Sequence, residues 1–196
     1  MKTLVLAAGR GTRMRELTLT LPKPLLKLND KPLLEMVVTR LRDAGIHDFV
    51  IVINYLGEKI QNALRAGTHL GVRIKYLWQE NRNGTGGAVK SAEKLMNRAP
   101  FLVTFGDVVI SVDDYKKFLQ TYQTEKPDVL LGVNWVDDPW YGAAVIVEKN
   151  NIVKEIIEKP PRGTIPSRWN NTGLFLFEPV IFEHLRQIKP SPRGEY

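Results

Sequence analysis

Short apolar runs that stop at glycine alternate with stretches of helical spacing through the first two-thirds of the chain, a rhythm that belongs to βαβ units and a mostly parallel sheet. Residues 3–8 make an apolar strand running into Gly9 and Gly11, and the apolar spacing over 32–44 predicts a helix closed by Gly45. Strands follow at 48–54, 72–79, 101–105 and 129–135, with helices at 58–66, 86–97 and 112–124 between them. The rhythm then changes. Segments 141–148 and 152–158 flank Lys149-Asn150-Asn151 and read as a β-hairpin with left-handed turn residues. Pro160, Pro161, Gly163 and Pro166 mark a loop, 172–177 another strand, and 179–187 a final helix with proline at its start. These patterns predict an α/β fold with a β-hairpin insertion in the C-terminal half. No repeat or linker divides the 196 residues, so one domain over 1–196 is expected.

Composition narrows the chemistry. The formal net charge of +7 suits anionic partners, but the basic residues are scattered and form no lysine- and arginine-rich tract. Small phosphorylated substrates are therefore expected, and nucleic acid is not. The chain has no cysteine, so any metal must be held by oxygen or nitrogen ligands. No run approaches the ~18 consecutive apolar residues of a membrane span, and a cytoplasmic enzyme with no membrane partner is the expectation.

In an open α/β sheet, ligands bind beyond the carboxyl ends of the strands, which directs attention to Ala7-Ala8-Gly9-Arg10-Gly11-Thr12-Arg13. Two glycines among small residues let backbone N–H groups approach a polyphosphate, and Arg13 supplies a charged fork for its oxygens. A dinucleotide fingerprint fails because Met14 stands at its third glycine position, and the Gly-Lys-Ser/Thr of a P-loop is absent. A tight turn with a solvated arginine is the plainer alternative for this loop. Lys23 lies between Pro22 and Pro24, which restrict its backbone and the reach of its ammonium. Asp107 follows the 101–105 strand, where a carboxylate can help hold Mg²⁺ on phosphates or can serve as a turn or cap residue.

Leu-Ala-Ala-Gly-x-Gly-Thr-Arg over 6–13, followed by Pro-Lys-Pro-Leu-Leu over 22–26, resembles the signature of the sugar-1-phosphate nucleotidyltransferases, or sugar-nucleotide pyrophosphorylases. Similar blocks follow in order: Lys31 to Glu35, Gln79-Glu80, Gly84 to Ala88, Phe105-Gly106-Asp107, Tyr141-Gly142, Glu158-Lys159-Pro160 and Asn171-Thr172-Gly173. The resemblance covers nearly the whole chain. It implies a Rossmann-like mixed sheet flanked by helices, Mg²⁺ as cofactor, and a nucleoside triphosphate and a sugar 1-phosphate as substrates. It also assigns Leu6, Ala8, Gly9, Gly11, Thr12, Arg13, Gln79, Gly84 and Thr85 to the nucleotide, with Gln79 and the Gly84 backbone reading the base. Arg13, Lys23 and Asp107 become the catalytic groups, Asp107 as metal ligand. Gly142, Glu158, Lys159 and Asn171 fall to the sugar phosphate.

The amide of Gln79 can pair a pyrimidine edge, which favours UTP or dTTP. A GTP enzyme of the mannose-1-phosphate guanylyltransferase type, an alcohol-phosphate cytidylyltransferase and a non-catalytic homologue that binds nucleotide sugar stay open. Residues 191–196 resemble a run that in the family leads into a second metal-binding aspartate, so the chain is expected to be truncated at its C-terminal end.

Overall fold

The structure, a computed structural model, describes residues 1–80, 84–96 and 98–189, and only the backbone of Thr12 and Arg13. The expectations on 191–196 and on Asn97 as a helix end lie outside the described residues. The elements in chain order are β1 (Lys2–Ala7), β2 (Lys27–Leu28), β3 (Lys31–Pro32), α1 (Leu33–Asp43), β4 (Asp48–Ile53), α2 (Gly57–Leu64), β5 (Arg73–Trp78) and α3 (Gly84–Ser91). After them come β6 (Phe101–Phe105), α4 (Val112–Glu125), β7 (Val129–Trp135), β8 (Ala143–Val147), β9 (Val153–Glu158), β10 (Trp169–Phe177) and α5 (Ile181–Gln187). The eight-stranded sheet is mixed, with a parallel core, as the alternating pattern predicts.

The chain forms two compact units, Met1–Leu130 with the segment from Leu176 on, and Leu131–Phe175. The boundaries fall inside β7 and β10, so strands make the connections and no linker marks them in the sequence.

In the larger unit the strand order is β5-β4-β1-β6, and every pairing is parallel. Leu4, Val5, Val50, Ile51, Val52, Leu102 and Val103 are all buried, because helices cover both faces of such a sheet and its strands read as unbroken apolar runs. Helix α1 buries Leu34, Val37, Val38 and Leu41, the i, i+3, i+4, i+7 stripe of an amphipathic helix. It ends as expected at Gly45, where Gly45 N–H donates to Arg42 O (2.8 Å) and Ile46 N–H to Leu41 O (3.0 Å), a Schellman closure. Ser111 caps α4 by accepting the Asp114 N–H at 3.0 Å.

The elements depart from the pattern in several places. The helix expected over 86–97 is α3, starting at Gly84 and stopping at Ser91; Glu93–Leu95 is a separate 3₁₀ turn. There the bonds tighten to i→i+3, Ala92 to Val89 and Leu95 to Ala92, while Ala92 and Met96 are both buried. The last helix begins at Ile181, with Pro179 and Val180 outside it. Lys27–Leu28 and Lys31–Pro32 form a hairpin that the pattern does not announce, with Asn29 and Asp30 both left-handed in its two-residue turn. Two further differences are in the smaller unit.

There β8 pairs antiparallel with both β9 and β10, and β7 lies on the other side of β10. The expected hairpin is present, and Asn150 and Asn151 take the left-handed turn conformation. Tyr141 is not part of its first strand. Asp138 accepts the Trp140 N–H at 3.3 Å and starts a 3₁₀ turn, Pro139–Tyr141, so β8 begins only at Ala143. Strand β10 starts at Trp169, three residues before the 172–177 run of the sequence reading.

The aromatic cluster behind β6 anchors the C-terminal return of the larger unit. Phe101, fully buried, stacks on Phe182 of α5 with centroids 5.3 Å apart and tilts against Phe177 at 5.9 Å. Phe101→Ala is expected to cost about 3 to 5 kcal/mol, the usual range for emptying a buried aromatic site. Urea unfolding of the variant beside the parent measures it, and a loss under about 1 kcal/mol would mean that the cluster does not anchor α5.

Candidate active site

Because β1, β4, β5 and β6 run parallel in one unit, their carboxyl ends lie on one edge, and Ala7, Ile53, Trp78 and Phe105 finish there. From that edge the chain continues into the glycine loop after β1, Asn54-Tyr55 after β4, Gln79 after β5 and Gly106-Asp107 after β6.

Lys23 and Asp107 form an ion pair, although they stand far apart along the chain. Two backbone features bring them together. Pro22 O accepts the Leu25 N–H (2.8 Å) and Lys23 O the Leu26 N–H (3.0 Å), so the segment Lys23–Leu25 is a 3₁₀ turn with Pro24 and Leu25 buried. Gly106, whose N–H donates to Leu6 O at 3.0 Å, lets that turn approach. A Cβ there would stand 3.3 Å from both Ala7 Cβ and Leu34 Cδ1 and 3.4 Å from Pro24 Cβ. The two charged side chains remain 39% and 22% exposed, so a ligand can reach both.

The glycine loop closes on the same lysine. Gly11 is left-handed, and a Cβ there would lie 3.0 Å from Lys23 Cβ and 3.2 Å from Thr18 Cγ2. Thr18, buried, donates its hydroxyl within reach of Gly11 O (3.1 Å) and Arg15 O (3.2 Å). Tyr55 places its hydroxyl against Thr18 O and Leu19 O at 3.1 and 3.0 Å, and its ring carries the Arg10 guanidinium 5.3 Å from the centroid. Thr18, Tyr55 and Arg10 therefore brace the loop, a role the sequence reading did not give them. Only the strand-end position of Tyr55 could have signalled it.

Of the other residues expected here, Gly9 is exposed with open space around its Cα, and Ala8 is half-buried. Leu6 is a core residue whose carbonyl is already taken by Gly106. The backbone of Thr12 and Arg13 enters the 3₁₀ segment Thr12–Thr18, and their side chains are outside the described residues. Gln79 is buried, its amide donates to Gly84 O at 3.4 Å, and its own carbonyl accepts from Asn54 Nδ2 at 2.6 Å. The structure thus joins Gln79 to Gly84, and Thr85 is exposed one residue on.

Asp107 is not the helix cap that competes with a ligand role, since Ser111 caps α4. Among the described residues no three His, Asp or Glu side chains gather as a metal cluster. One carboxylate on a strand end suits a hard cation whose remaining ligands are phosphate oxygens and water, the habit of Mg²⁺.

The sugar-phosphate candidates all belong to the smaller unit. Gly142 O accepts the Lys159 N–H at 2.7 Å, Glu158 is paired in register with Ala143, and the Lys159 ammonium lies 3.5 Å from the Glu158 carboxylate. Asn171 accepts the Gly173 N–H on its side-chain oxygen at 2.7 Å. Two residues that the sequence reading passed over, Asn134 and Asn170, connect this group.

The profile of the family described as "Nucleotidyl transferase" matches residues 2–196. The low-salt glycan biosynthesis nucleotidyltransferase Agl11 of Haloferax volcanii is 30% identical, over 100% of this chain and 54% of its own length. The catalytic subunit beta of mannose-1-phosphate guanylyltransferase from Danio rerio is 33% identical, over 97% of this chain and 53% of its own. The chain thus spans about half the length of these curated relatives. Among solved structures, a proposed glucose-1-phosphate thymidylyltransferase of Bacillus anthracis, complexed with sucrose, superposes with a TM-score of 0.89 at 28% identity. The match covers 100% of this chain and 78% of that one. A UDP-glucose pyrophosphorylase complexed with UDP-glucose gives 0.84 at 28% identity, over 99% of this chain and 82% of that one.

The exposure of the Lys23–Asp107 pair sets its contribution to folding. Water screens such a pair, so Lys23→Ala is expected to keep the fold and to change stability by less than about 1 kcal/mol. Urea titration followed by circular dichroism checks this, and a loss of several kcal/mol would make the pair a structural bridge.

Proposed function

We propose that this chain, which belongs to the nucleotidyl transferase family over residues 2–196, transfers a nucleoside monophosphate from a nucleoside triphosphate to a sugar 1-phosphate and releases pyrophosphate. The observation that carries the reading is the juxtaposition of Lys23 with Asp107 at the carboxyl edge of the parallel strands, beside a glycine loop. A cation and a carboxylate in that position suit a reaction between two anions that needs no protein nucleophile.

A phosphate oxygen of the sugar 1-phosphate forms the new bond to the α-phosphorus. The bond from that phosphorus to the oxygen bridging to the β-phosphate breaks, and pyrophosphate departs with the electron pair. In the larger unit, the Gly9–Gly11 backbone receives the triphosphate with Arg13, and the Lys23 ammonium turns from Asp107 to the reacting phosphate. Asp107 is the residue that would hold Mg²⁺, which when bound neutralises phosphate oxygens. In the smaller unit, Gly142, Glu158, Lys159 and Asn171 take the sugar phosphate. The Gln79 amide beside Gly84 reads the base and favours UTP or dTTP, because one amide both donates to and accepts from a pyrimidine edge. The formal charge of +7 assists capture of both substrates.

A matrix of nucleoside triphosphates against sugar 1-phosphates, read by pyrophosphate release with Mg²⁺ present, tests the activity. Turnover with UTP or dTTP is expected, and Lys23→Ala should lower its rate by about a hundredfold, the equivalent of losing one charge-assisted contact in the transition state. Absence of pyrophosphate release from every combination would overturn the reading. Asp107→Asn keeps the shape and removes the charge, so its activity should need far more Mg²⁺ and stay low at saturation. An unchanged Mg²⁺ titration would remove Asp107 as a metal ligand.

A further inference from the structure

The smaller unit contains a side-chain junction that none of the expected site residues explains. Asn170, half-buried near the start of β10, accepts the Ala143 N–H on Oδ1 at 3.2 Å. Its Nδ2 donates to Asn134 Oδ1 on β7 at 3.0 Å and to Asn171 O at 3.1 Å. The partners settle which way the amide points, with an N–H on one side and two carbonyl oxygens on the other. One carboxamide therefore ties together the start of β8, the end of β7 and the backbone of Asn171.

The fit around it is close. A Cβ on Gly142 would overlap the Asn170 carboxamide oxygen and come within 3.1 Å of its Cγ, so the glycine is there to admit this side chain. Gly142 in turn accepts the Lys159 N–H at 2.7 Å, and Lys159 is left-handed, a conformation that a lysine keeps only when its surroundings hold it. Three residues proposed for the sugar phosphate, Gly142, Lys159 and Asn171, are thus each within one hydrogen bond or one steric contact of Asn170 or of each other. Asn134 is exposed and contributes one acceptor, which makes it the outer support.

We infer that Asn170, steadied by Asn134, is the positioning residue of the sugar-phosphate half of the site, fixing where the Gly142 and Asn171 backbones and, through Gly142, Lys159 stand. The inference rests on the proposed transfer reaction and adds to it the group that sets the acceptor geometry. Asn170 need not touch the substrate. It acts by holding the groups that do, and a displacement of about 1 Å in such groups can cost a hundredfold in rate.

Steady-state kinetics of Asn170→Ala, with circular dichroism and thermal unfolding to establish folding, provide the test. The KM for the sugar 1-phosphate should rise about tenfold or more while the KM for the triphosphate stays within about twofold, since a purely structural defect would move both. Asn134→Ala, which removes only the outer acceptor, should shift the same constant severalfold and serves as the deciding variant if Asn170→Ala does not fold. A double-mutant cycle adds a readout specific to the contact. Gly142→Ala should be severe alone, by about a hundredfold in kcat/KM for the sugar 1-phosphate, and nearly without further effect in the Asn170→Ala background, where the overlap is gone. An unchanged sugar 1-phosphate KM in a folded variant, or equal costs of Gly142→Ala in both backgrounds, would overturn the inference. Parent enzyme that fails to release pyrophosphate at all would instead count against the transfer reaction itself.

Discussion

The close passage of the Lys23–Leu25 turn over the ends of β1 and β6 is the constraint on which the larger unit's site depends. Gly106 lies against Ala7, Leu34 and Pro24, and a single methyl group would begin to push these three apart. Because β1 and β6 are locked in parallel register, with Leu6 opposite Phe105, the height at which each strand ends is not adjustable. The lysine of the turn therefore has a carboxylate beside it, and the glycine loop that follows β1 closes over the same lysine through Gly11. The hydrophobic sheet supplies this precision at no cost in polar burial, since Lys23 and Asp107 both keep contact with water.

The smaller unit solves its positioning problem by different means. Strand β9 and the end of β7 are largely exposed, and Val153, Ile156 and Trp135 all face solvent, while Ala143, Ala144 and Val145 of β8 are buried. With less apolar packing available, side-chain hydrogen bonds set the local geometry. Asp138 accepts from Trp140 N–H at 3.3 Å and from Gly163 N–H at 2.9 Å, Thr172 donates to Gly132 O at 2.9 Å, and Asn170 joins three segments. Directional bonds of this kind fix angles that packing alone would leave loose, and each buried amide left without a partner would be expensive.

Much of this was readable along the chain. Unbroken apolar runs could only be strands covered on both faces, and α1 declared its buried stripe and its Gly45 stop. The ordered blocks from the glycine loop to Asn171 pointed to the family that the profile over 2–196 then showed. Errors came where a local pattern met a tertiary demand. The good helix formers of 86–97 break at Ala92 into a 3₁₀ turn, and the aromatic Tyr141 is excluded from β8 by the Asp138-Pro139 turn. Nothing in Asn29-Asp30 foretold a hairpin so close to the next helix.

The sequence by itself determined the order of strands and helices, the glycines that the backbone would need, and the kinds of charged group available for phosphate chemistry. Those properties are local, because hydrophobic period, turn preference and side-chain charge are written within a few residues. Only the tertiary structure decided that Lys23 should meet Asp107, that Thr18 and Tyr55 should brace the first loop, and that Asn170 should fill the space left by Gly142. Each of these joins segments far apart along the chain, and their meeting depends on strand register and crossover path, which no local pattern contains.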